Sequence, residues 1–300
     1  MLTDLRQNWD YLWFMAAPAR LVRHRDGVPV YDYAVGLDTP PVSLIRLRAG
    51  ELPESRPHIH DFPALTYFPA CGTVFVAAAG EAVDPTRVGT RSDSIGVFFD
   101  PAALGATARS PWPTWRDHPL LFPFQHEHRG GMLELQVPSD RRAFWDNAIE
   151  SIGAELTTRR DGYRQAALAH LTLLLIDLAR LADDIGGDLP VRGDSVVPAV
   201  LAVIERRIAE PLSLREVAAE LGLTPGHLTT VVRRRTGRTV VDWILDRRMA
   251  QARVLLAETD LPVADIARRV GVPDPGYFAR RFRREHGVTP RGWRTGVRTA

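Results

Sequence analysis

Between residues 42 and 137, apolar positions recur every second residue or fill short runs bounded by Gly, Pro and Asp. Side chains on a strand alternate between two faces, so this pattern predicts short β-strands in a sandwich or barrel. Before them, the pattern predicts a short helix near residues 9–15 and a strand at 28–35. The later strands are predicted at 42–47, 64–68, 73–78, 95–99 and 132–137.

After residue 137 the apolar period changes to that of an α-helix. The two apolar stripes are Phe144, Ala148, Ile149, Ile152 and Leu156, then Leu168, Leu171, Leu175, Leu178 and Leu181. Residues 159–162 (Arg-Arg-Asp-Gly) form a turn between them, which predicts a helical hairpin at 138–183. The second helix is apolar on more sides than one partner helix covers. It either packs against the strands or forms a dimer interface, and the pattern leaves both open.

A polar, glycine-rich segment at 184–195 predicts a linker between domains. The region after it is helical in pattern and contains a twofold repeat of about 50 residues. Residues 212–223 correspond to 261–272, and residues 224–228 correspond to 274–278, with one residue inserted before Pro275.

Each copy of the repeat has the pattern of a helix-turn-helix motif, at about residues 214–235 and 263–286. Gly222 and Gly271 fall where a helix ends with a positive φ. Thr224 and Asp274, each followed by Pro, then cap the second helix of their copy. A longer connecting helix begins with the spacing of a capping box at 239–242.

The second helix of each copy has an apolar stripe and a polar face. The polar residues of the two helices are His227, Thr229, Thr230, Arg233, Arg234, Tyr277, Arg280, Arg281, Arg283 and Arg284. Side chains near the start of such a helix reach base edges in the major groove, and later Arg side chains reach phosphates. These residues are the predicted DNA contacts.

Charge divides the chain into two parts. It contains 38 Arg, no Lys, and 36 Asp and Glu, for a net charge of +2. Residues 1–194 hold 19 Arg and 25 acidic residues (net −6), whereas residues 195–300 hold 19 Arg and 11 acidic residues (net +8). A basic segment that coincides with the repeat indicates an anionic partner, and double-stranded DNA fits the helix pattern. Lys is missing from the acidic part too, so codon usage explains its absence better than phosphate recognition.

Residues 196–299 resemble the DNA-binding domain of the AraC/XylS family of transcription regulators. The motifs are Leu-x-x-Val-Ala-x-x-Leu-Gly, Asp-Trp-Ile-x-x-x-Arg-x-x-x-Ala from Asp242, Ile-Ala-x-x-Val-Gly, and Tyr-Phe-x-x-x-Phe-x-x-x-x-Gly-x-Thr-Pro from Tyr277. The resemblance implies two helix-turn-helix motifs that enter successive major-groove segments on one face of DNA. Gly226 and Gly276 depart from the pattern, at positions where bulkier base-reading side chains are common.

The front part is similar to the cupin-type sensor domain of the same regulators. Pro-His-Ile-His-Asp-Phe-Pro at 57–63, with Leu-Thr-Tyr after it, carries this resemblance. It implies a cupin-like β-barrel within residues 1–137 that holds a small-molecule effector, followed by helices used in dimerisation. The candidate effector-binding residues are His58, His60, Phe62 and Tyr67.

His58 and His60 fall on the same side of a strand and could begin a metal site. Enzymatic cupins supply a Glu a few residues later, where this chain has Ala64 and Leu65. We therefore predict no metal, no cofactor and no catalytic residue. The alternatives are a metal-dependent cupin enzyme with an added DNA-binding domain, and an architectural DNA-binding protein without a sensor.

The predicted fold is multidomain α+β: a cupin-like β-barrel with a helical hairpin, then an all-α double helix-turn-helix domain. The single cysteine, Cys71, excludes an internal disulfide. The start has no secretory pattern, and the longest apolar stretch, 166–182, contains His170, Asp177 and Arg180. We expect a cytoplasmic, ligand-responsive transcription regulator that is a homodimer, with no membrane partner, and with RNA polymerase as a partner if it is an activator.

Overall fold

The computed structural model describes residues 19–33, 39–50, 56–87, 92–105, 111–125, 131–185 and 196–299. These residues form two compact parts, which we call the β unit (before residue 186) and the helical unit (196–299). The helix predicted near residues 9–15 lies outside the described residues.

Within the described ranges, the β unit contains nine strands in two sheets. The strands are β1 (Ala19–Arg25), β2 (Val28–Tyr33), β3 (Val42–Leu47), β4 (His58–His60), β5 (Ala64–Phe68), β6 (Thr73–Ala77), β7 (Ala82–Val83), β8 (Ser94–Phe99) and β9 (Met132–Gln136). One sheet has the order β1-β2-β4-β7 and the other β3-β8-β5-β6-β9. Neighbouring strands are antiparallel except β2 and β4, which are parallel. Strands β3 and β5 have the predicted bounds, and β2, β6, β8 and β9 differ by one or two residues at one end.

The alternating pattern does not predict β1, β4 or the two-residue strand β7. Strand β1 carries three Arg and a His among its seven residues, which hides its alternation. Asp26 and Gly27, which join β1 to β2, have φ values of 52° and 82°. An Asp-Gly pair with positive φ forms a tight hairpin turn, and this pair is the signal that identifies β1. Strand β4 has three residues, too few for a period to appear.

The predicted cupin-like barrel is not confirmed. Barrel closure requires the edge strands of a sheet to pair with each other. In the described residues, β1 and β7 form the edges of one sheet and β3 and β9 the edges of the other, so both sheets are open. Alternation identifies strands, whereas closure depends on pairings between residues far apart in the chain.

Helices α1 (Ser139–Thr158) and α2 (Tyr163–Ile185) form the predicted hairpin. Asp177 of α2 is buried, and its carboxylate accepts hydrogen bonds from Trp145 Nε1 at 2.7 Å and Arg141 Nη2 at 2.5 Å. Buried leucines of α2 share one apolar core with residues of β5, β6, β8 and β9. One side of α2 therefore packs against the five-stranded sheet.

The other side of α2 is exposed, and Leu173 there is 50% accessible. An 18-residue window within residues 163–184 has a mean hydropathy of 1.4, enough by length and composition to cross a membrane. One such helix among the described residues is weak evidence for a membrane span, because core helices of soluble proteins have the same properties.

The helical unit contains seven helices among its described residues. They are α3 (Val196–Arg206), α4 (Leu214–Glu220), α5 (Pro225–Thr236), α6 (Val240–Glu258), α7 (Val263–Arg269), α8 (Pro275–His286) and α9 (Pro290–Thr299). Helices α4 and α5 form the first helix-turn-helix motif, and α7 and α8 form the second. Helix α6 connects them and begins with the predicted capping box at Thr239 and Asp242. We call α5 and α8 the recognition helices.

Candidate nucleic-acid interface

Both recognition helices begin at the predicted caps. Thr224 Oγ1 accepts a hydrogen bond from the amide of His227 at 3.3 Å. Asp274 Oδ1 accepts from the amides of Tyr277 at 3.0 Å and Gly276 at 2.8 Å. These two bonds, with the nearby Arg280 guanidinium, lower the pKa of Asp274. The caps determine where each helix begins and hence where its side chains project.

A glycine makes the turn inside each motif. Gly222 and Gly271 have φ values of 66° and 72°, in the left-handed region that favours glycine. A Cβ on Gly271 would lie 2.6 Å from Arg248 Nη2 and 2.8 Å from the carbonyl oxygen of Ile208. Arg248 donates to that same carbonyl from Nε at 3.2 Å, and to the carbonyl of Glu210 from Nη2 at 2.7 Å. The second turn therefore packs closely against α6 and the segment after α3.

The recognition helices correspond residue for residue at an offset of 50 positions. Leu228 and Val232 of α5 are buried, as are Phe278 and Phe282 at the corresponding positions of α8. The predicted DNA contacts that the structure exposes are His227, Thr230, Arg233, Arg234, Tyr277, Arg280, Arg283 and Arg284; Thr229 is half-buried. Two corresponding surfaces thus carry nine of the ten predicted residues.

The starts of the two recognition helices differ. The hydroxyls of Thr229 and Thr230 donate to backbone carbonyls four residues earlier, at 2.8 Å and 3.0 Å. Arg280, at the position corresponding to Thr230, lies over the first turn of α8. Its Nη1 is 3.4 Å from where a Cβ on Gly276 would stand. A side chain at position 276 would therefore lie in van der Waals contact with Arg280.

Arg281 is the one predicted DNA contact that lies mostly inside the helical unit. Its side chain is 12% exposed, and its Nη2 lies 3.3 Å from Asp246 Oδ1 and 3.2 Å from Glu285 Oε2. The corresponding residue of α5 is the buried Val231. Because its charge has two carboxylate partners within the unit, we assign Arg281 to the interior contacts rather than to the exposed surface.

In the β unit, three of the four candidate effector residues lie together. The ring centroids of His58 and His60 are 4.7 Å apart, and His60 stacks on Phe62 at 4.8 Å. The ring centroid of Phe98 (β8) lies 6.0 Å from that of His60, and the ring centroid of Tyr33 (β2) lies 5.7 Å from that of Phe62. We call these five residues the aromatic-histidine cluster; it lies where strands of the two sheets approach each other.

Burial determines the protonation of both imidazoles. It lowers the pKa of His58, and it lowers the pKa of His60 well below the usual range. Both rings are therefore neutral at pH 7, and each has one donor and one acceptor nitrogen. His58 Nδ1 lies 3.2 Å from the carbonyl oxygen of Arg56, whereas His60 Nδ1 has no partner among the described residues. Within those residues, no group of three His, Cys, Asp or Glu side chains is placed to hold a metal ion.

Tyr67 lies in a different environment from the histidines. Its hydroxyl donates to Asp146 Oδ1 at 3.0 Å, and its ring lies 5.3 Å from that of Trp145. Burial and the carboxylate of Asp146 raise its pKa. Tyr67 belongs to the core between the five-stranded sheet and α1, so the structure does not group it with the other three candidates.

A family model described as a helix-turn-helix domain matches residues 217–296. The arabinose operon regulatory protein of Escherichia coli is 31% identical over 201 residues, which cover 67% of this chain and 63% of that protein. The regulatory protein SoxS of the same organism is 33% identical over 99 residues, which cover 33% of this chain and 92% of SoxS. The chain belongs to the AraC family of transcriptional regulators.

A third relative is the uncharacterized HTH-type transcriptional regulator YpdC of Escherichia coli, which is 28% identical over 183 residues. Those residues cover 59% of this chain and 62% of YpdC. The chain thus spans just under two thirds of the length of the first curated relatives that it matches, with shares of 62%, 66% and 63%.

Sequence reasoning does not identify the charged residues that join the two motifs of this AraC-family chain. Arg238 and Asp246 form an ion pair, and Asp246 also contacts Arg281. The second copy of the repeat has Val288 and Gly296 where the first has Arg238 and Asp246. This difference between otherwise matching copies is the signal that could have found them.

Proposed function

We propose that this AraC-family protein is an effector-responsive regulator of transcription that reads duplex DNA through α5 and α8. The observation that carries the proposal is the correspondence of the two recognition helices. Apart from Thr236, their buried positions are apolar, and after the Pro-Gly pair that begins each helix their exposed positions are polar or basic. An Arg-rich face on a single helix is often only a solvated face, but two corresponding faces on one compact unit favour a shared binding partner.

The exposed faces support two kinds of DNA contact. The residues proposed to reach base edges, in the first two turns, are His227, Thr229, Thr230, Tyr277 and Arg280. The residues proposed to bind phosphates, one turn later, are Arg233, Arg234, Arg283 and Arg284. The net charge of +8 on residues 195–300 supports binding to a polyanion.

We further propose that residues 1–137 sense a small-molecule effector at the aromatic-histidine cluster. The neutral imidazoles and His60 Nδ1, which has no partner within the described part of the chain, support a small ligand that supplies a hydrogen bond between aromatic rings. Residues 138–183 would pair two protomers, a role that the exposed Leu173 supports. Residues 184–195 link this part to the DNA-binding residues 196–299. The proposed regulator is cytoplasmic, has no catalytic role, and contacts RNA polymerase if it is an activator.

Selection of bound duplexes from a random pool, with the full chain, tests the DNA-reading function. We expect an enriched site with two sub-motifs whose centres lie about 10 base pairs apart. If about six phosphates are neutralised, affinity should fall on the order of 10³-fold between 50 and 200 mM salt. Failure to enrich any sequence, or a flat salt dependence, would contradict the proposal. The double variant Arg159→Gln, Arg160→Gln, which removes two exposed charges from the α1–α2 turn, is the control and should bind as the parent does.

Thermal unfolding with a panel of sugars, polyols and aromatic acids tests the sensing function. A ligand of the folded β unit should raise its unfolding temperature. His60→Phe keeps an aromatic ring but removes both nitrogens, so it should abolish the shift. A shift that survives in His60→Phe would place the effector elsewhere.

A further inference from the structure

One carboxylate contacts the second helix-turn-helix motif and the segment that follows the first. Asp246 of α6 pairs through Oδ2 with Arg238, which lies between α5 and α6, and its Oδ1 is 3.3 Å from Nη2 of Arg281 on α8. The side chains of Arg238, Asp246 and Arg281 are 18%, 17% and 12% exposed. Glu285, also on α8, is a second partner of Arg281 at 3.2 Å. We call Arg238, Asp246 and Arg281 the ionic bridge.

Trp243 connects Arg238 of the ionic bridge to α5 of the first motif. The Arg238 guanidinium lies 4.4 Å above the centre of the Trp243 ring. Trp243 Nε1 donates to Thr236 Oγ1 at 3.1 Å, at the last residue of α5, and Thr236 Oγ1 donates to the carbonyl of Val232 at 2.9 Å. A continuous series of contacts therefore runs from one recognition helix to the other.

The repeat shows that a single motif does not need these charges to fold. The corresponding residues in the other copy are Val288 for Arg238, Gly296 for Asp246 and Val231 for Arg281. Both copies still form the same pair of helices with a glycine turn, and in both the second helix begins at a side-chain cap followed by Pro. The bridge therefore has its role between the motifs rather than within one of them.

We propose that Asp246 is a positioning residue that holds α5 and α8 at one separation and rotation, and so determines the spacing of DNA sub-motifs that the protein accepts. The inference rests on the proposed DNA-reading function. Charge-assisted hydrogen bonds are shorter and stronger than neutral ones and depend on direction, whereas apolar contacts are non-directional. A change of one base pair moves a sub-motif by about 3.4 Å and turns it by about a tenth of a helical turn. Two recognition helices held at one separation and rotation cannot both stay in contact with sub-motifs that have been shifted and turned in this way.

Spacing discrimination tests this role with the full chain. The selected duplex, and versions with one base pair inserted or deleted between the sub-motifs, are titrated with the parent, Asp246→Asn and Asp265→Asn. Asp265→Asn is the matched control, since it removes one negative charge and one ion pair within α7 that does not reach the other motif. Should Asp246→Asn fail to fold, Arg281→Gln breaks the same bridge from the α8 side.

The parent and Asp265→Asn should prefer the selected spacing by about 10-fold or more, the usual effect of one mismatched contact. Asp246→Asn should lower that preference by at least about threefold, as expected for coupled groups. An unchanged preference in Asp246→Asn, or an equal loss in Asp265→Asn, would overturn the positioning role.

A distance measurement without DNA separates failure of this inference from failure of the proposed function. Spin labels are attached in a Cys71→Ser background at Arg234→Cys and Arg284→Cys, on exposed positions of α5 and α8. Pulsed electron paramagnetic resonance should give one narrow distance distribution, which Asp246→Asn broadens and Asp265→Asn does not. Equal widths in all three proteins would show that the ionic bridge does not hold the helices, whether or not the chain binds DNA.

Discussion

The two helix-turn-helix motifs share a backbone arrangement but present different side chains. Each recognition helix begins at a cap followed by Pro and ends at a glycine with a positive φ, 67° at Gly237 and 76° at Gly287. At the exposed start, α5 has Thr229 and Thr230 where α8 has Ala279 and Arg280. The buried and turn positions therefore maintain the motif, while the exposed start is free to differ and would determine what each motif reads.

The interiors of the motifs differ as well. Leu228 of the first motif corresponds to Phe278 of the second, whose ring lies 5.9 Å from that of Phe282. The ring centroid of Phe282 in turn lies 4.4 Å from that of His286 and 6.0 Å from that of Trp293. The two buried recognition-helix positions are thus aromatic in the second motif and aliphatic in the first.

Truncation of the corresponding core residues should have the largest effect on stability. We expect Phe278→Ala to destabilise the second motif by about 3–5 kcal/mol and Leu228→Ala to destabilise the first by about 2–5 kcal/mol. Hydrogen exchange of amides in α5 and α8 measures each loss separately. A loss spread equally over both motifs in either variant would contradict their separate cores.

Removal of the paired basic residues should weaken DNA binding equally for the two motifs. Arg233→Gln with Arg234→Gln, and Arg283→Gln with Arg284→Gln, each remove two proposed phosphate contacts. At about 1.5 kcal/mol for each charged hydrogen bond, each double variant should lose roughly 100-fold in affinity. Each should also reduce the slope of log affinity against log salt by about 2. A change in sequence preference would argue against phosphate contacts.

Variants at the helix starts should distinguish the motifs. We expect Arg280→Ala to cost about 1–3 kcal/mol on the selected site and to relax preference at one base position. Thr230→Ala should cost less, because the Thr230 hydroxyl already donates to a backbone carbonyl at 3.0 Å. Binding to the selected site and to single-base variants measures both. Equal effects would contradict the proposed asymmetry.

The smallest expected effect concerns the helix that follows each motif. Asp242 Oδ2 accepts from the Thr239 amide at 3.0 Å and hydroxyl at 2.7 Å, and Thr239 Oγ1 accepts from the Asp242 amide at 3.1 Å. The start of α9 has one corresponding bond, from the amide of Gly292 to Thr289 Oγ1 at 3.1 Å. Burial alone would raise the pKa of Asp242, but the bonds from Thr239 and the nearby Arg238 and Arg281 bring it below its ordinary value.

A lowered carboxyl pKa contributes stability at pH values above the unfolded pKa, and this stability is lost as the pH falls through the lower folded pKa. Acidification below about pH 4 should therefore loosen the start of α6 by up to about 1 kcal/mol, with no corresponding change at α9. Amide exchange at Asp242 and Gly292 measures this. Asp242→Asn should remove the pH dependence at α6, and its persistence there would assign it to another group.

The sequence predicts the two motifs well because local signals mark their ends. Caps at Thr224 and Asp274 and the glycine turns locate α5 and α8 without any long-range information. The low exposure of Arg281 is not predicted in this way, because the sequence pattern predicts that an Arg in a basic helix lies on the surface. Comparison with the buried Val231 of the other copy would have placed it inside.

The β unit is less predictable because its arrangement depends on distant pairings. Alternation locates β3 and β5, but whether the sheets close depends on which edges meet. By contrast, the His-x-His spacing is local, and it correctly predicts that His58 and His60 lie on one side of their strand. Tyr67 is separated from them because it projects from the opposite face of the five-stranded sheet to Phe98, toward α1.

The central claim is that the exposed starts of two equivalent helices determine what each motif reads. Its most direct test is DNA selection with the triple variant His227→Tyr, Thr229→Ala, Thr230→Arg, which gives α5 the exposed start of α8 and leaves Val231 in place. We expect the site selected by the triple variant to become a direct repeat of the second sub-motif at the original spacing. A folded variant that still selects the original first sub-motif would contradict it.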